Sequence, residues 1–199
     1  MTKIDTFFKT PPDVGAGPGD TRSILYLLRR DLRDLSCPET REPTSQDSLK
    51  APVLASAGII IGFEILGRIW TGQNDPGQAK LIDALSEILH ISKETAKVIM
   101  HFRNSLAHGY QLELHARDTN IYKFRLISDI HNKCFFKKRT ENGITEYEIC
   151  FWELRNQFIN AISRVYQEIQ ANDTKKSNFT RMLPFLSPYK MTFNNKQVG

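Results

Sequence analysis

The segment RNSLAHGY, residues 103–110, brings five hydrogen-bonding or titratable side chains together. Arg103 carries a permanent planar charge that can donate two parallel hydrogen bonds to a phosphate. His108 titrates near neutrality, so its imidazole can take or give a proton. Asn104 and Ser105 can orient a phosphate or a water. This combination of side chains is suited to attack on a phosphodiester.

RNA is the phosphodiester that such a site fits best, because the 2′-hydroxyl of RNA is its own nucleophile. No metal-activated water is then required, and carboxylates do not cluster around residues 103–110. The sequence therefore predicts no metal site, since hard divalent cations select oxygen ligands. It also predicts no other cofactor.

The same segment ends a predicted helix, with Ser92 as its N-cap and Gly109 at the position that stops it. On an ideal helix Arg103 and His108 point about 140° apart. A site made by one chain is therefore awkward. We predict that two copies packed across a twofold axis bring the two side chains into one cleft.

The stretch RNSLAH resembles the Arg-x4–6-His signature of the HEPN superfamily, with Asn104 as the polar residue after the arginine. The longer RNSLAHGY is similar to the Arg-x4-His-x-Tyr form in the toxin half of HEPN–MNT toxin–antitoxin pairs. Residues 57–70, AGIIIGFEILGRIW, resemble the long glycine-containing helix that precedes this motif.

The resemblance implies a homodimeric, metal-independent endoribonuclease of a microbial defence or toxin system, whose products carry a 2′,3′-cyclic phosphate. Arg103 is then expected to stabilise the phosphorane, His108 to act as general acid or base, and Asn104 to support them. Tyr110 matches a tyrosine that receives AMP from a separate nucleotidyltransferase antitoxin, although a packed strand tyrosine is the preferred interpretation. The alternative is a non-catalytic HEPN-type module that binds RNA, a nucleotide or a protein.

Three regions are predicted along the chain: a flexible leader at 1–21, rich in proline and glycine, a HEPN-like domain at 22–171 and a basic tail at 172–199. The tail holds five basic residues against one acid, which suits an anionic partner. The absence of a secretory pattern and an odd count of three cysteines indicate a cytoplasmic protein. The apolar run at 51–66 is short of the roughly 20 residues that span a bilayer, so a buried core helix is predicted and no membrane partner.

The predicted fold is mainly α: a HEPN-like bundle of four to five helices with a small antiparallel β-meander, at about 110–151, before the last helix. The strongest local signal is Asn142-Gly143, which suits a two-residue hairpin turn. Centring the hairpin there pairs Arg139 with Glu146 and Lys137 with Glu148. Within the bundle, Glu64 is predicted to pair with Arg68 along one helix, and the less favoured alternative is that Glu64 orients Arg103. His101 is predicted to be solvated, because it lies off the apolar stripe.

Overall fold

Helices form most of the chain in the computed structural model, which describes residues 3–9, 21–39, 42–44, 47, 49–107, 113–115, 121–131, 135–141, 144–186 and 189–190. The helices of this described part are α1 Lys3–Phe8, α2 Ile24–Leu35, α3 Pro52–Thr71, α4 Gly77–Leu89, α5 Lys93–Ala107, α6 Phe151–Ala171 and α7 Asp173–Met182. The strands are β1 Thr21–Arg22, β2 Glu113–His115, β3 Ile121–Ile127, β4 Phe136–Glu141, β5 Ile144–Cys150 and β6 Tyr189–Lys190. The prediction of a mainly α fold is confirmed.

The central element is α3, which packs against α2, α4, α5, α6 and α7. Its length and composition would also suit a membrane-spanning helix. Ten of its residues are buried, however, so the predicted core helix is confirmed. Pro52 opens α3 in its first turn, where the missing N–H costs nothing. A Cβ added to Gly62 would lie 2.3 Å from Cε2 of Phe158, so the glycine is what lets α6 approach this closely.

The helix α6 supplies the other half of the core. Its predicted stripe is buried as expected, with every member at most 4% exposed: Leu154, Phe158, Ile162, Val165 and Ile169. The rings of Phe158 and Phe63 meet edge to face at 5.6 Å. Helices α3 and α6 therefore form a close-packed pair against which the shorter helices pack.

The predicted flexible leader is wrong for residues 3–8, which form α1. Phe7 and Phe8 are buried, and the ring of Phe7 lies 5.4 Å from that of Phe179 on α7. Ser23 caps α2 by accepting a hydrogen bond from the Tyr26 amide, and its hydroxyl donates to the Phe7 carbonyl. Apolar burial and these bonds fix α1, although six residues are too few to show a helical period in the sequence.

The predicted basic tail is likewise part of the core over residues 173–182. Helix α7 buries Phe179 and Met182 and packs on α3 and α6. Lys175 lies 3.5 Å from the centre of the Trp70 ring, and burial lowers the pKa of its amine. The described residues thus contain seven helices rather than four to five, because α1 and α7 add to the predicted set.

The larger sheet has the strand order β2-β3-β5-β4. Strands β3 and β5 are parallel, so the predicted antiparallel meander is wrong at this pair. The hairpin register is confirmed, since Arg139 pairs with Glu146 and Lys137 with Glu148; its turn, Asn142-Gly143, lies outside the described residues. Strand β5, with Ile149 fully buried, takes the inner position, and the charged β4 takes the edge, where unpaired backbone groups face water.

Candidate functional site

Arg103 and Asn104 are held in place by the packing of α5. Ser92 caps this helix as predicted, because its hydroxyl accepts a hydrogen bond from the Thr95 amide at 3.1 Å. Phe102 is fully buried and Leu106 is nearly so, which fixes the rotation of the last two turns. The intervening side chains of Arg103 and Asn104 are therefore directed away from the core and remain half-buried.

Arg103 forms an ion pair with Glu64 of α3. Its Nε and Nη2 atoms each lie 3.2 Å from Oε2 of Glu64. The other carboxylate oxygen, Oε1, accepts a hydrogen bond from Nη2 of Arg68 at 2.6 Å. The predicted pairing of Glu64 with Arg68 is confirmed, and the less favoured alternative, in which Glu64 orients Arg103, is present as well. One carboxylate bridges two arginines because α5 crosses α3 beside it.

Asn104 completes this cluster, since its Oδ1 accepts a hydrogen bond from Nη1 of Arg103 at 3.1 Å. The guanidinium of Arg103 is thus held on two sides by Glu64 and Asn104. Its side chain keeps 38% of its surface exposed. A charged fork that is both oriented and accessible can bind an anion with little loss of side-chain entropy.

The cluster opens into a cleft of about 200 Å³ between α3, α5 and the start of α4. Two arginines face two carboxylates there, so the formal charge of the lining is zero and an anion must compete with the carboxylates for the arginines. The lining residues are Glu64, Arg68, Asp75, Pro76, Gly77, Gln78, Leu81, Met100, Arg103 and Asn104.

Arg68 is one of the cleft residues that the sequence did not assign to the site. The spacing of four from Glu64 predicts a pair along one helix, but it carries no information about which helix faces that pair. Gln78 was missed for the same reason, because the glutamine belongs to α4 and enters the cleft only through the packing of α4 on α3.

His108 and Tyr110 lie outside the described residues, and so does Gly109. The last described residue of α5 is Ala107, directly before His108 in the sequence. The catalytic role of His108 and the modification of Tyr110 stay predictions.

His101 corrects the prediction of a solvated histidine. Its ring stacks on that of Tyr122 of β3 at 4.3 Å with an interplanar angle of 17°. The chain places β3 against this side of α5, so a residue off the helical stripe still becomes half-buried. His101 therefore joins α5 to the sheet.

The part of the chain that the structure describes contains no group of three or more His, Cys, Asp and Glu side chains placed to hold a metal ion. No protein-family model, curated protein sequence or solved structure matches this chain.

Proposed function

We propose that the protein is a HEPN-type endoribonuclease that cleaves RNA without a metal, as part of a microbial defence or toxin system. The observation that carries the proposal is the oriented, half-exposed guanidinium of Arg103 in a cleft that also holds Asn104 and Arg68. This is the arginine of the Arg-x4-His motif. Two arginines and an amide side chain suit the recognition of a phosphodiester.

In the proposed reaction the 2′-hydroxyl attacks the adjacent phosphorus while the bond to the 5′-oxygen breaks. The products are a 2′,3′-cyclic phosphate and a 5′-hydroxyl. The 2′-hydroxyl loses its proton and the leaving 5′-oxygen gains one; His108 carries out one of these transfers, as base or as acid, and water exchanges the other proton. Arg103 donates hydrogen bonds to the phosphorane oxygens, where negative charge grows, and Asn104 keeps the guanidinium oriented.

The ion pair with Glu64 sets a condition on this chemistry. A phosphate must share or displace the carboxylate, because Glu64 accepts from two of the three nitrogens of Arg103. The exposed surface of Arg103 is the side open to the phosphate. Binding is thereby restricted to anions that offer several acceptor oxygens in place of the carboxylate.

A homodimer is part of the proposal, and the surface of α3 supports it. Leu54 and Ile61, two turns apart on α3, are 53% and 47% exposed. At about 100° per residue, both lie within about 80° of Glu64 and Arg68 around α3. An apolar stripe next to the cleft suits a second copy of the chain, which would bring its own motif to the same groove.

The test is incubation of the purified protein with total RNA or tRNA in EDTA. We expect fragments whose 5′-hydroxyl ends accept a label from polynucleotide kinase without prior dephosphorylation. Arg103→Ala and His108→Ala should each abolish the cleavage, with a loss of about 100-fold or more.

Matched controls are Arg181→Ala on α7 and His131→Ala, because both side chains are exposed and outside the cleft. These variants should cleave like the wild type. Cleavage that survives both motif substitutions rules out this site, and a wild type that cleaves no RNA leaves no support for the nuclease.

A non-catalytic binding module is the second candidate. It is favoured by the hydrogen bonds that Arg103 already makes within the protein. A guanidinium that already pairs with Glu64 and Asn104 has its charge balanced within the fold. On this alternative the cleft binds RNA, a nucleotide or a protein without turnover. Binding that Arg103→Ala weakens, in a wild type without cleavage, would distinguish it.

A further inference from the structure

One face of the larger sheet carries charged side chains in two rows. Side chains alternate between the faces of a strand, and paired residues share a face. The register puts Lys123, Glu146 and Arg139 in one row and Arg125, Glu148 and Lys137 in the other. We call these six residues the charged face. By register, Glu113, the partner of Lys123, and Glu141, two residues from Arg139 on β4, belong to the same side of the sheet. The positive surplus is therefore confined to the end of the face around Glu148, where Arg125, Lys137 and Arg139 outnumber this acid.

The centre of the charged face is a buried acid. Glu148 is 6% exposed, and its Oε1 lies 3.7 Å from Nη1 of Arg125 and 3.3 Å from Nη2 of Arg139. A buried carboxylate is costly unless it is paired, so the two arginines are drawn together over it. They come from strands on opposite sides of β5 and from neighbouring rows, which places their Cα atoms about 12 Å apart by the usual strand spacing and rise.

The two arginines remain accessible although they share this partner. The side chain of Arg125 is 62% exposed and that of Arg139 is 52% exposed. One carboxylate balances one of the two charges, so the trio keeps a charge of +1. Lys137, in the same row as Glu148, is also exposed.

The opposite face of the sheet accounts for the packing. Phe124 is buried and its ring lies 5.2 Å from that of Phe102 on α5, while Ile149 is fully buried. The burial of the sheet against the helices therefore uses the apolar face. This packing leaves both arginines of the charged face largely exposed to solvent.

We propose that the charged face binds the phosphodiester backbone of a single nucleic acid strand. Arg125 and Arg139 present two guanidinium forks close together, and such forks match the oxygens of a phosphate. Cations two residues apart on one strand stand about 6.6 Å apart, which allows neighbouring contacts along one extended backbone. The excess of Arg125, Lys137 and Arg139 over Glu148 at this end supplies the attraction, and Glu148 keeps the forks oriented before the strand arrives.

This inference does not rest on the nuclease proposal, because none of the six residues lines the cleft of Arg103. The probe is a fluorescent 2′-O-methyl oligoribonucleotide of about 12 nucleotides, a length within the range of single-strand sites. It lacks the free 2′-hydroxyl, so it binds without being cleaved. Its dissociation constant is measured by anisotropy over a series of salt concentrations.

The expected result is a change in the salt dependence of binding. Each phosphate contact contributes about 0.7 to the slope of log K against log salt for a single strand. The double variant Arg125→Ala/Arg139→Ala should therefore lower the magnitude of the slope by about 1.4. The control Arg30→Ala/Arg181→Ala removes the same charge from α2 and α7 and should leave the slope unchanged.

Two further variants keep the test decisive if the double alanine variant does not fold. Arg125→Lys/Arg139→Lys keeps both charges and should keep the slope, and Lys137→Ala should lower it by about 0.7. The proposal is overturned if the wild type does not bind the probe at low salt. It is also overturned if the folded charged-face variants keep the slope of the control, which would leave an acidic protein as the partner to seek.

Discussion

The carboxylate of Glu64 on α3 lies 3.2 Å from the guanidinium of Arg103 on α5, across 39 positions of the chain. This contact joins the helix before the motif to the helix that carries it. It orients the arginine, and it also places a negative charge where a phosphate is expected to bind. The orientation of the arginine should raise kcat, whereas the negative charge should weaken the binding of RNA.

Replacement of Glu64 by glutamine separates these effects. The removal of a negative charge from the cleft should favour the binding of RNA, and we expect Glu64→Gln to lower the KM about threefold. The weaker anchor on Arg103 should lower kcat about tenfold through poorer positioning. Steady-state cleavage of a labelled RNA measures both. The control Glu94→Gln changes an exposed glutamate in the first turn of α5 and should alter neither constant. Unchanged kcat and KM in Glu64→Gln would remove Glu64 from the site.

Two glycines of α3 offer a matched test of the core. A Cβ on Gly62 would lie 2.3 Å from Phe158, whereas a Cβ on Gly58 would meet Cδ2 of Leu28 at 4.0 Å, an ordinary contact. We expect Gly62→Ala to lower the free energy of unfolding by about 1–3 kcal/mol through overpacking. Gly58→Ala should raise it by about 0.5–1 kcal/mol, because alanine favours a helix. Urea unfolding followed by circular dichroism compares them. Equal effects of the two substitutions would contradict the close contact of α3 with α6.

The sequence predicted the elements whose periodicity is long and regular. The stripe of α6 and the register of the β4–β5 hairpin follow from local patterns, since every residue needed to fix them lies within one segment. The Ser92 cap is equally local. The parallel pairing of β3 with β5 was not predictable in this way, because it depends on which strand of the sheet takes the inner position.

In the candidate site, too, only the features fixed within one segment of the sequence were predictable. Arg103 and Asn104 are visible as a motif, but the pairing of Arg103 with Glu64 depends on how α5 crosses α3. His101 was predicted to be solvated from its own helix alone, and the ring of Tyr122 that covers it comes from a strand 21 residues later. The helix α1 was missed because its stability comes from burial of Phe7 and Phe8 and not from helix propensity.

Two glutamates of β5 are expected to differ in their contribution to stability. Glu148 is buried and lies near two arginines, whereas Glu146 is half-buried in the next row. We expect Glu148→Ala to lower the free energy of unfolding by about 1–2 kcal/mol, because it removes the acid that balances the arginines and leaves a small cavity. Glu146→Ala should cost less than about 0.5 kcal/mol, as for substitutions away from the core and from buried networks. Thermal unfolding of both variants provides the comparison, and a Glu148 variant as stable as the Glu146 variant would contradict the central role of the buried acid.

We expect the protein to lose stability at alkaline pH because the thiol of Cys150 is buried. Cys150 is 1% exposed, its Sγ lies 3.4 Å from the carbonyl oxygen of Asp129, and burial raises the pKa of the thiol. The unfolded chain therefore releases this proton at a lower pH than the native chain does. The contribution of the protonated thiol to the free energy of unfolding is fully present below the unfolded pKa of about 8.5. It is lost as the pH rises through the higher native pKa. Urea unfolding at intervals between about pH 7.5 and 10.5 measures the slope.

The variants Cys150→Ala and Cys150→Val both lack the thiol and differ in how well they fill its place. Both should flatten the alkaline fall in the free energy of unfolding to the same extent, even if their stabilities at neutral pH differ. A residual slope is expected in each, because burial also raises the pKa of Tyr147. If either variant kept the full slope of the wild type, the buried thiol would not be the group that couples folding to pH in this range.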